Sequence, residues 1–434
     1  MYNLLLNKRE NMKNKLSLAV LAALCVTSVS AMQFQTLGYK SVGMGGAGVA
    51  SSSGSVATYN NPALLAKSTY NVEVSLGGGI STYDHGAGAS MQALDNSGFI
   101  DTMDKISNDT GSLTESDKQN LIDGKNIVMA MDSDSVELAP QAYFAAQVSG
   151  FGIGVFGSSD AVGTAVVSQA HDQLIFTDDG TNYIHIDDNG NETPSTAVAY
   201  TSSSIDYAVN NNLTYVQAVG IGLAEVPVAY GHKFELSGGN IMIGGAAKFM
   251  QAITYTETLS IDNSGSSDDK NDKTSTSFGI DLGLAYEPSF AKDLTIAIVA
   301  KNLNSPEFDF IDGSTHSIDP MIRAGIAYNI FDSLEIAADI DLTENDTFVG
   351  EVKSQMLGGG LNFQPTSWFS LRGGLMQNLD SNDKAEMIYT AGLGIGVKWF
   401  QIDLSGQMSQ NTTTVDGQEY PQYAKVNLAL ISRW

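Results

Sequence analysis

From Tyr70 to the last residue, Trp434, apolar residues alternate with polar or small ones at period two, in stretches bounded by Gly, Asn, Asp, Ser and Pro. In "GFGIGVFG", Phe151, Ile153 and Val155 fall on one side of an extended chain and glycines on the other, and "AGLGIGVKW" repeats this with Leu393, Ile395 and Val397. Successive side chains of a strand point to opposite faces, so the pattern predicts strands with one apolar and one small or polar face. Fourteen such segments are predicted, at 70–83, 138–149, 151–166, 213–235, 239–260, 275–287, 293–303, 320–330, 333–344, 354–364, 368–378, 386–399, 400–410 and 421–434.

The connections sort into two kinds. Those after the second, fourth, sixth, eighth, tenth and twelfth segments are short: Gly150, "LSGGN", "EPSFAKD", "IFDS", "QPTSW" and "WF". The others are longer and polar, the main ones being 84–137, 167–212, 261–274 and 304–319. An even strand number with tight turns at one end and long loops at the other is the layout of an outer-membrane barrel, turns periplasmic and loops outside. A soluble sandwich has no reason to sort its loops this way. The expected fold is therefore all-β, a 14-stranded antiparallel transmembrane β-barrel spanning 70–434.

Composition narrows the class further. Beyond residue 31 no run of 18 apolar residues occurs, 44 residues are Gly, and 22 Lys plus Arg stand against 48 Asp plus Glu, a net charge of −26. That balance excludes nucleic acid as a partner, since a phosphate-backbone binder needs a basic stripe to displace counterions. The first 31 residues read as a signal peptide: Lys13 and Lys15 form a basic start, "LSLAVLAALCV" an apolar core and Val29-Ser30-Ala31 a cleavage site. Met12 opens this signal naturally, so translation is expected to start there or at Met1, and the exported chain at Met32. The single cysteine, Cys25, lies inside the signal, and Leu24 before it does not fit a lipoprotein cleavage box. The exported protein then has no disulfide and no thiolate chemistry, and must be held together by its fold.

Trp368, Trp399 and Trp434 all fall at the short-turn end, with Phe290, Phe331 and Phe400 beside them, as an aromatic girdle at the periplasmic interface would. In the last segment, "YAKVNLALISRW", Val426, Leu428, Leu430 and Trp434 share a face, broken only by Ser432. A terminal aromatic on such a strand is similar to the signal read by barrel-assembly machinery, which is an expected partner along with membrane lipid and lipopolysaccharide.

Glycines Gly152, Gly154, Gly392, Gly394 and Gly396 line the inferred inner wall. They leave lumen space, or let another backbone pack closely, or relieve strain where a strand bends. Charges are sparse on the inner faces of these two strands, which favours a plugged or narrow lumen over a charge-ringed pore. Residues 32–69 precede the first strand and are expected to fold back into the barrel as a hatch. They contain "GMGGAG", a G-x-G-x-x-G spacing at Gly43, Gly45 and Gly48, with Gly46 between. A dinucleotide-binding turn needs a buried strand before it and an apolar helix after it. Here serines and Asn60-Asn61-Pro62 follow instead, so the glycines are assigned to a tight buried loop and no cofactor is expected.

At these residues the chain resembles a known family. "GMGGAGVA…SVATYNNPALLA", with Asn61, Pro62 and Ala63, is similar to the N-terminal hatch signature of the FadL/OMPP1/TodX outer-membrane family, 14-stranded barrels that import hydrophobic compounds. Over more of its length, through the same opening and "AIVAKNLNSPEF", it resembles the barrel family labelled conjugal transfer protein TraF, a label shared with an unrelated thioredoxin-like plasmid protein. The fatty-acid branch implies ligand capture in an apolar groove, passage to a lumen site, and hatch movement opening a sideways route through a kinked strand. Asn61, Pro62 and Ala63 carry over as hatch residues. No basic residue matches a fatty-acid carboxylate partner; Lys248, Lys301, Arg323 and Arg372 are the candidates.

In the first long loop Met91, Leu94, Met103 and Ile106 recur at helical spacing, which predicts a helical cap that gates a groove or simply packs on its own barrel. "FTDDGTNYIHIDDNGNE" and "DNSGSSDDKND" are acidic enough to bind calcium, or to join lipopolysaccharide phosphates through divalent ions, but neither has EF-hand spacing and solvated loops are the simpler reading. The five histidines His85, His171, His185, His232 and His316 are scattered, His185 beside Asp187 and Asp188 is the nearest approach to a metal cluster, and no G-x-S-x-G elbow occurs. The expectation is thus not an enzyme and no metal site, but a passive, hatch-gated channel for small hydrophobic molecules such as long-chain fatty acids or aromatic hydrocarbons. The rival expectation is a non-transport barrel that anchors or assembles a conjugation or surface apparatus.

Overall fold

The computed structural model describes residues 34–107, 112–177, 180–260, 272–309, 315–347, 353–380, 383, 387–397, 399–415 and 417–434. The expected signal peptide, Met32 and most of the 261–274 loop lie outside these residues. Fourteen antiparallel strands close into one barrel: β1 (Val72–His85), β2 (Ser135–Val148), β3 (Phe151–Val166), β4 (Tyr215–Leu236), β5 (Gly239–Ser260), β6 (Asp272–Pro288), β7 (Leu294–Lys301), β8 (Met321–Phe331), β9 (Leu334–Asp341), β10 (Met356–Thr366), β11 (Phe369–Asn378), β12 (Met387–Val397), β13 (Phe400–Ser409) and β14 (Tyr423–Arg433). Each strand pairs with its sequence neighbours, and β14 closes the ring on β1, with Gly79 opposite Asn427. Closure leaves no free sheet edge, the condition for a sheet to sit in lipid.

The alternation read from the sequence becomes two surfaces. On β3, Phe151, Ile153 and Val155 are exposed while Gly152, Gly154 and Phe156 are buried; on β13, Ile402 and Leu404 are exposed while Asp403 and Ser405 are buried. The same split around the ring makes the exterior an apolar belt, which is the exterior of an outer-membrane protein. Phe290, Phe331, Trp368, Trp399, Phe400 and Trp434 are all exposed at the short-turn end of this belt. No helix among the described residues is long and apolar enough to cross a membrane; the strands do the crossing.

Residues 34–67 lie inside the ring. They form α1 (Tyr39–Gly43), a 3-10 turn at Gly54–Val56, α2 (Ala57–Asn60) and a second 3-10 segment at Pro62–Lys67. These pieces are too short to be stable alone in water, and they hold because nearly every residue from Leu37 to Leu65 is buried against the wall. Asn61 starts the last segment: its backbone is extended, its side-chain oxygen accepts from Ala63 N at 3.1 Å, and Pro62 follows with its φ fixed.

Opposite the short turns, the two longest loops fold into a cap with its own core. Helices α3 (Ala87–Asn96), α4 (Phe99–Ser107) and α5 (Glu115–Ala130) pack with a small sheet (Leu174–Phe176, Ile184–Ile186, Glu192–Pro194) around Leu121, Phe176, Ile186 and Ile205. Leu94, Met103 and Ile106 pack on this core, but on two helices separated by Gly98, which takes a left-handed φ of 71°. A reciprocal cap between Thr114 and Asp117 starts α5.

The belt predicts where charge is not tolerated. Leu404→Arg, which puts a cation on the lipid face of β13, should destabilise the barrel by about 2–4 kcal/mol in urea titrations in lipid vesicles, whereas Gln401→Arg, next to polar wall groups near the turn, should cost less than half of that.

Candidate functional site

The G-x-G-x-x-G loop does hold an anion, but an internal one. Gly45 and Gly46 take left-handed φ values of 64° and 82°, and the turn they make aims the amides of Gly48 and Val49 at Asp339 on β9. Both donate to Asp339 Oδ2, at 2.7 and 2.8 Å. Three and four strands further round the ring the wall answers the same loop with Thr390 on β12, which accepts from Gly45 N at 2.9 Å and donates to Gly43 O at 3.1 Å, and with Gln407 on β13, which donates to Val42 O at 2.9 Å. These wall side chains satisfy backbone groups that have no water to bond.

Asn61 binds mainly within its own segment. Its amide nitrogen donates to Val49 O at 2.9 Å and, at 3.5 Å, to Ile298 O of β7, so it ties the glycine loop to the Pro62 turn more than either to the wall. The Asn61-Pro62-Ala63 turn instead presses on wall glycines, through its backbone and the Asn61 side chain. A Cβ built on Gly244 would stand 2.3 Å from the Pro62 carbonyl carbon, and one on Gly283 would stand 1.9 Å from Asn61 Oδ1. Gly358 and Gly374 play the same part opposite, for the backbone of Met44 and Gly45.

The five wall glycines singled out in the sequence divide. Gly152 faces Thr58 and Leu65, and Gly392 faces Gly43, so these two let the N-terminal segment approach. Gly154 faces the Phe156 ring, Gly394 the side chains of Ser370, Gln401 and Asp403, and Gly396 the backbone of Phe400 and Gln401. Of the alternatives left open, none of the five faces open space.

The inner wall carries far more charge than the two glycine strands implied. Lys248 bonds Glu225 at 2.6 Å and Asp281 at 3.1 Å; Arg323 grips Asp341 at 2.5 and 2.8 Å; Arg372 bonds Asp403 at 2.6 Å. Lys301 lies over the Tyr59 ring, 3.1 Å from its centroid, and 4.8 Å from that of Phe34. The four basic candidates for a ligand carboxylate are thus already engaged. Sequence reasoning passed over these pairs, although their acids stand on the polar side of alternating strands ("GIDLG", "AADIDL", "QIDLS"). Near the turns, Glu73 on β1 accepts from Ser55 N at 2.8 Å and pairs with Arg433 at 2.8 Å, and Arg433 also donates to the Tyr39 hydroxyl at 2.7 Å. Burial pushes the Tyr39 phenol up to about 12, against the opposing pull of Arg433, so it stays neutral and accepts.

Two features set β3 apart. Its ladder to β4 runs through Ile153–Val228 and resumes at Phe156–Glu225, leaving Gly154 and Val155 unpaired opposite Val226 and Pro227; its ladder to β2 skips Ser159 and Asp160 opposite Ala139 and Pro140. Proline cannot donate to a ladder, which explains both interruptions. Behind the first, the Phe156 ring stacks on Tyr59 of the N-terminal segment, centroids 4.8 Å apart.

On the long-loop side of residues 34–36 lies a cavity of about 80 Å³. Met356, Met376, Ile388 and Tyr83 give it an apolar side, and His85, Glu137, Gln407 and Lys425 a polar one. Lys425 is buried and donates to Thr36 O at 3.3 Å and Gln141 Oε1 at 3.1 Å; among the described residues no carboxylate pairs with it. Among the same residues no group of three acidic, His or Cys side chains is placed to hold a metal. Near His185, Asp187 is turned inward on the amides of Asn189 and Asn191, both at 2.9 Å.

Residues 58–341 match the family described as F plasmid transfer operon, TraF, protein. No curated protein matches the chain. Among solved structures, a TodX monoaromatic hydrocarbon channel deltaS2 mutant aligns at 11% identity and a TM-score of 0.51 over 93% of this chain and 100% of its own. The toluene transporter TbuX of Ralstonia pickettii aligns at 12% identity and 0.50, over 93% and 99%. At these identities the likeness establishes a shared barrel fold.

The packing makes a direct prediction. Gly244→Val should expel the Pro62 turn, so that amides of residues 57–66 lose hydrogen-exchange protection at least tenfold while the barrel strands keep theirs. Gly373→Ala, whose Cβ would meet nothing nearer than 3.9 Å, should leave both unchanged.

Proposed function

We propose a transport function for this chain, which belongs to the family of the F plasmid transfer operon TraF protein: a passive outer-membrane channel, not an enzyme, that admits small hydrophobic compounds past residues 34–67 acting as a hatch. The observation that carries this reading is the interrupted β3–β4 ladder at Gly154–Val155, backed from the lumen by Phe156 and Tyr59. Unpaired strand positions are where a barrel wall opens at least cost, because fewer ladder hydrogen bonds have to break. An apolar molecule leaving there passes into lipid without crossing the periplasmic end, which residues 34–67 fill. The solved TodX and TbuX structures are described as a monoaromatic hydrocarbon channel and a toluene transporter, and the shared fold supports the same class of cargo here.

In this reading Asn61, Pro62 and Ala63, with Gly45, Gly46 and Gly48, shape the hatch; Gly152 and Gly392 are the wall that receives it; and Trp368, Trp399, Phe400 and Trp434 anchor the barrel at the periplasmic interface. The cavity beside Phe34 is the lumen site. Its Met-lined side suits a hydrocarbon and Lys425 suits the head of a fatty acid, since a buried ammonium without a carboxylate gains most from an anion. Lipid and lipopolysaccharide surround the belt, and assembly machinery reads β14.

A second reading, that the barrel serves a conjugation or surface apparatus, draws on the family description and on the separately cored cap, a folded surface larger than a gating loop needs. Uptake separates the two. Deletion cells carrying the intact protein should take up labelled toluene or a long-chain fatty acid, and Asn61→Ala at equal membrane levels should lower that uptake several-fold. Lys425→Met should lower fatty-acid uptake while sparing toluene. No uptake of either compound, with mating efficiency falling on deletion, would turn the assignment to the second reading.

A further inference from the structure

The wall carboxylates that hold residues 34–67 are not equivalent. Glu73 is neutralised by Arg433 as well as by the Ser55 amide. Asp339 is also buried, with only 5% of its surface exposed, yet among the described residues it forms no ion pair. Oδ2 takes the Gly48 and Val49 amides, and Oδ1 has no hydrogen-bond partner. The neighbouring cation, Arg323, is committed in a fork to Asp341. With Arg323 turned to Asp341 and acting on Asp339 only through its field, the two amides are the direct hydrogen-bonded support of this buried carboxylate.

The wall is shaped for this contact. Gly325 on β8 is the ladder partner of Asp339, and a Cβ built on it would stand 2.2 Å from Asp339 Oδ1 and 3.1 Å from the Val49 Cβ. The missing side chain at 325 is the seat in which the carboxylate lies to reach the loop. Were the loop to leave, the same carboxylate would face lumen water and be solvated, so the held and released states each satisfy the charge. Ion-paired anchors such as Glu73 gain nothing comparable on release.

We propose that Asp339, seated over Gly325, is the clasp of the hatch: a positioning residue whose two-amide contact with Gly48 and Val49 sets the balance between a closed and an open lumen. This rests on reading residues 34–67 as a hatch, and is independent of what is transported. It is a different contact from the Asn61 turn, which holds the segment to itself.

The test is ion conductance of the full protein in planar bilayers, with heat-modifiable migration on gels verifying that each barrel is folded. A variant lacking residues 34–67 calibrates the open lumen; if it conducts no more than the intact protein, the hatch reading itself fails. Given that it conducts, Asp339→Asn should raise the open fraction about tenfold or more, since a carboxamide accepts the amides without charge. Gly325→Ala, which leaves the carboxylate in the chain but fills its seat, should do the same, and Asp339→Glu should return the conductance toward that of the intact protein. Folded Asp339→Asn and Gly325→Ala barrels that stay closed while the deletion conducts would overturn the clasp. So would an Asp339→Glu barrel as open as Asp339→Asn, because the carboxylate would then be immaterial.

Discussion

A polypeptide backbone enclosed in a barrel has no water with which to pair its amides and carbonyls, and this single requirement organises the inside of the protein. Residues 34–67 are mostly too short in their helices and turns to satisfy themselves. The wall therefore has to come close enough to bond, and it does so in two ways. Where the backbone lies flat on a strand, the wall has glycine, as at Gly244, Gly283, Gly358 and Gly374. Where it stands off, the wall reaches out with Thr390, Gln407, Glu73 or Asp339. The glycine content of the chain and the polar side of its strands are two answers to one accounting problem.

That division explains what was legible in the sequence. Strand number, order and the sorting of short and long connections follow from period-two alternation, a local property that every strand repeats, and lipid makes the outer half of the pattern unusually clean. The glycine loop was read as a tight buried loop from the serines and Asn60-Asn61-Pro62 after it, and in the fold its amides hold a carboxylate. Asp339 lies 290 residues beyond Val49, and only ring closure brings them together. The pairs around Lys248, Arg323 and Arg372 were equally out of reach as pairs, although each member stands out as a charge among inward positions. Alternation tells which face a residue takes; register and closure decide whom it meets.

Buried charges here serve geometry more than stability. An ion pair inside a wall recovers the cost of desolvation only when its geometry is good and its remaining groups are bonded. Arg372 meets that condition, bonding Asp403, Ser370 and Asn362, with the Tyr39 carbonyl at 3.5 Å. Such a group fixes α1 against β11 and β13 in one orientation, which a greasy contact would not. Lys301 and Arg323 achieve a similar effect on Phe34 and Tyr59 through their rings. The result is a segment whose flanks are positioned by charged side chains and whose middle, the glycine loop, is held through its own backbone groups by Asp339, Thr390 and Asn61.

Motion inherits that asymmetry. The C-terminal end of the segment is tied covalently to β1 and by Lys67 to Glu287 at 3.0 Å, and α1 is fixed by Arg372 and Arg433. Between them, residues 43–49 carry no charged side chain of their own, and they are held by glycine fit, by the burial of Met44, Ala47 and Val49, and by hydrogen bonds to Thr390, Asp339 and Asn61. The interruption in β3 lies beside α2, next in chain order, where Tyr59 stacks on Phe156. The Asn61 bond to Val49 joins the glycine loop, held by Asp339, to the segment that carries Tyr59. Asn61, carried over from the family resemblance as a hatch residue, is in the fold the residue that joins the glycine loop to the Pro62 turn.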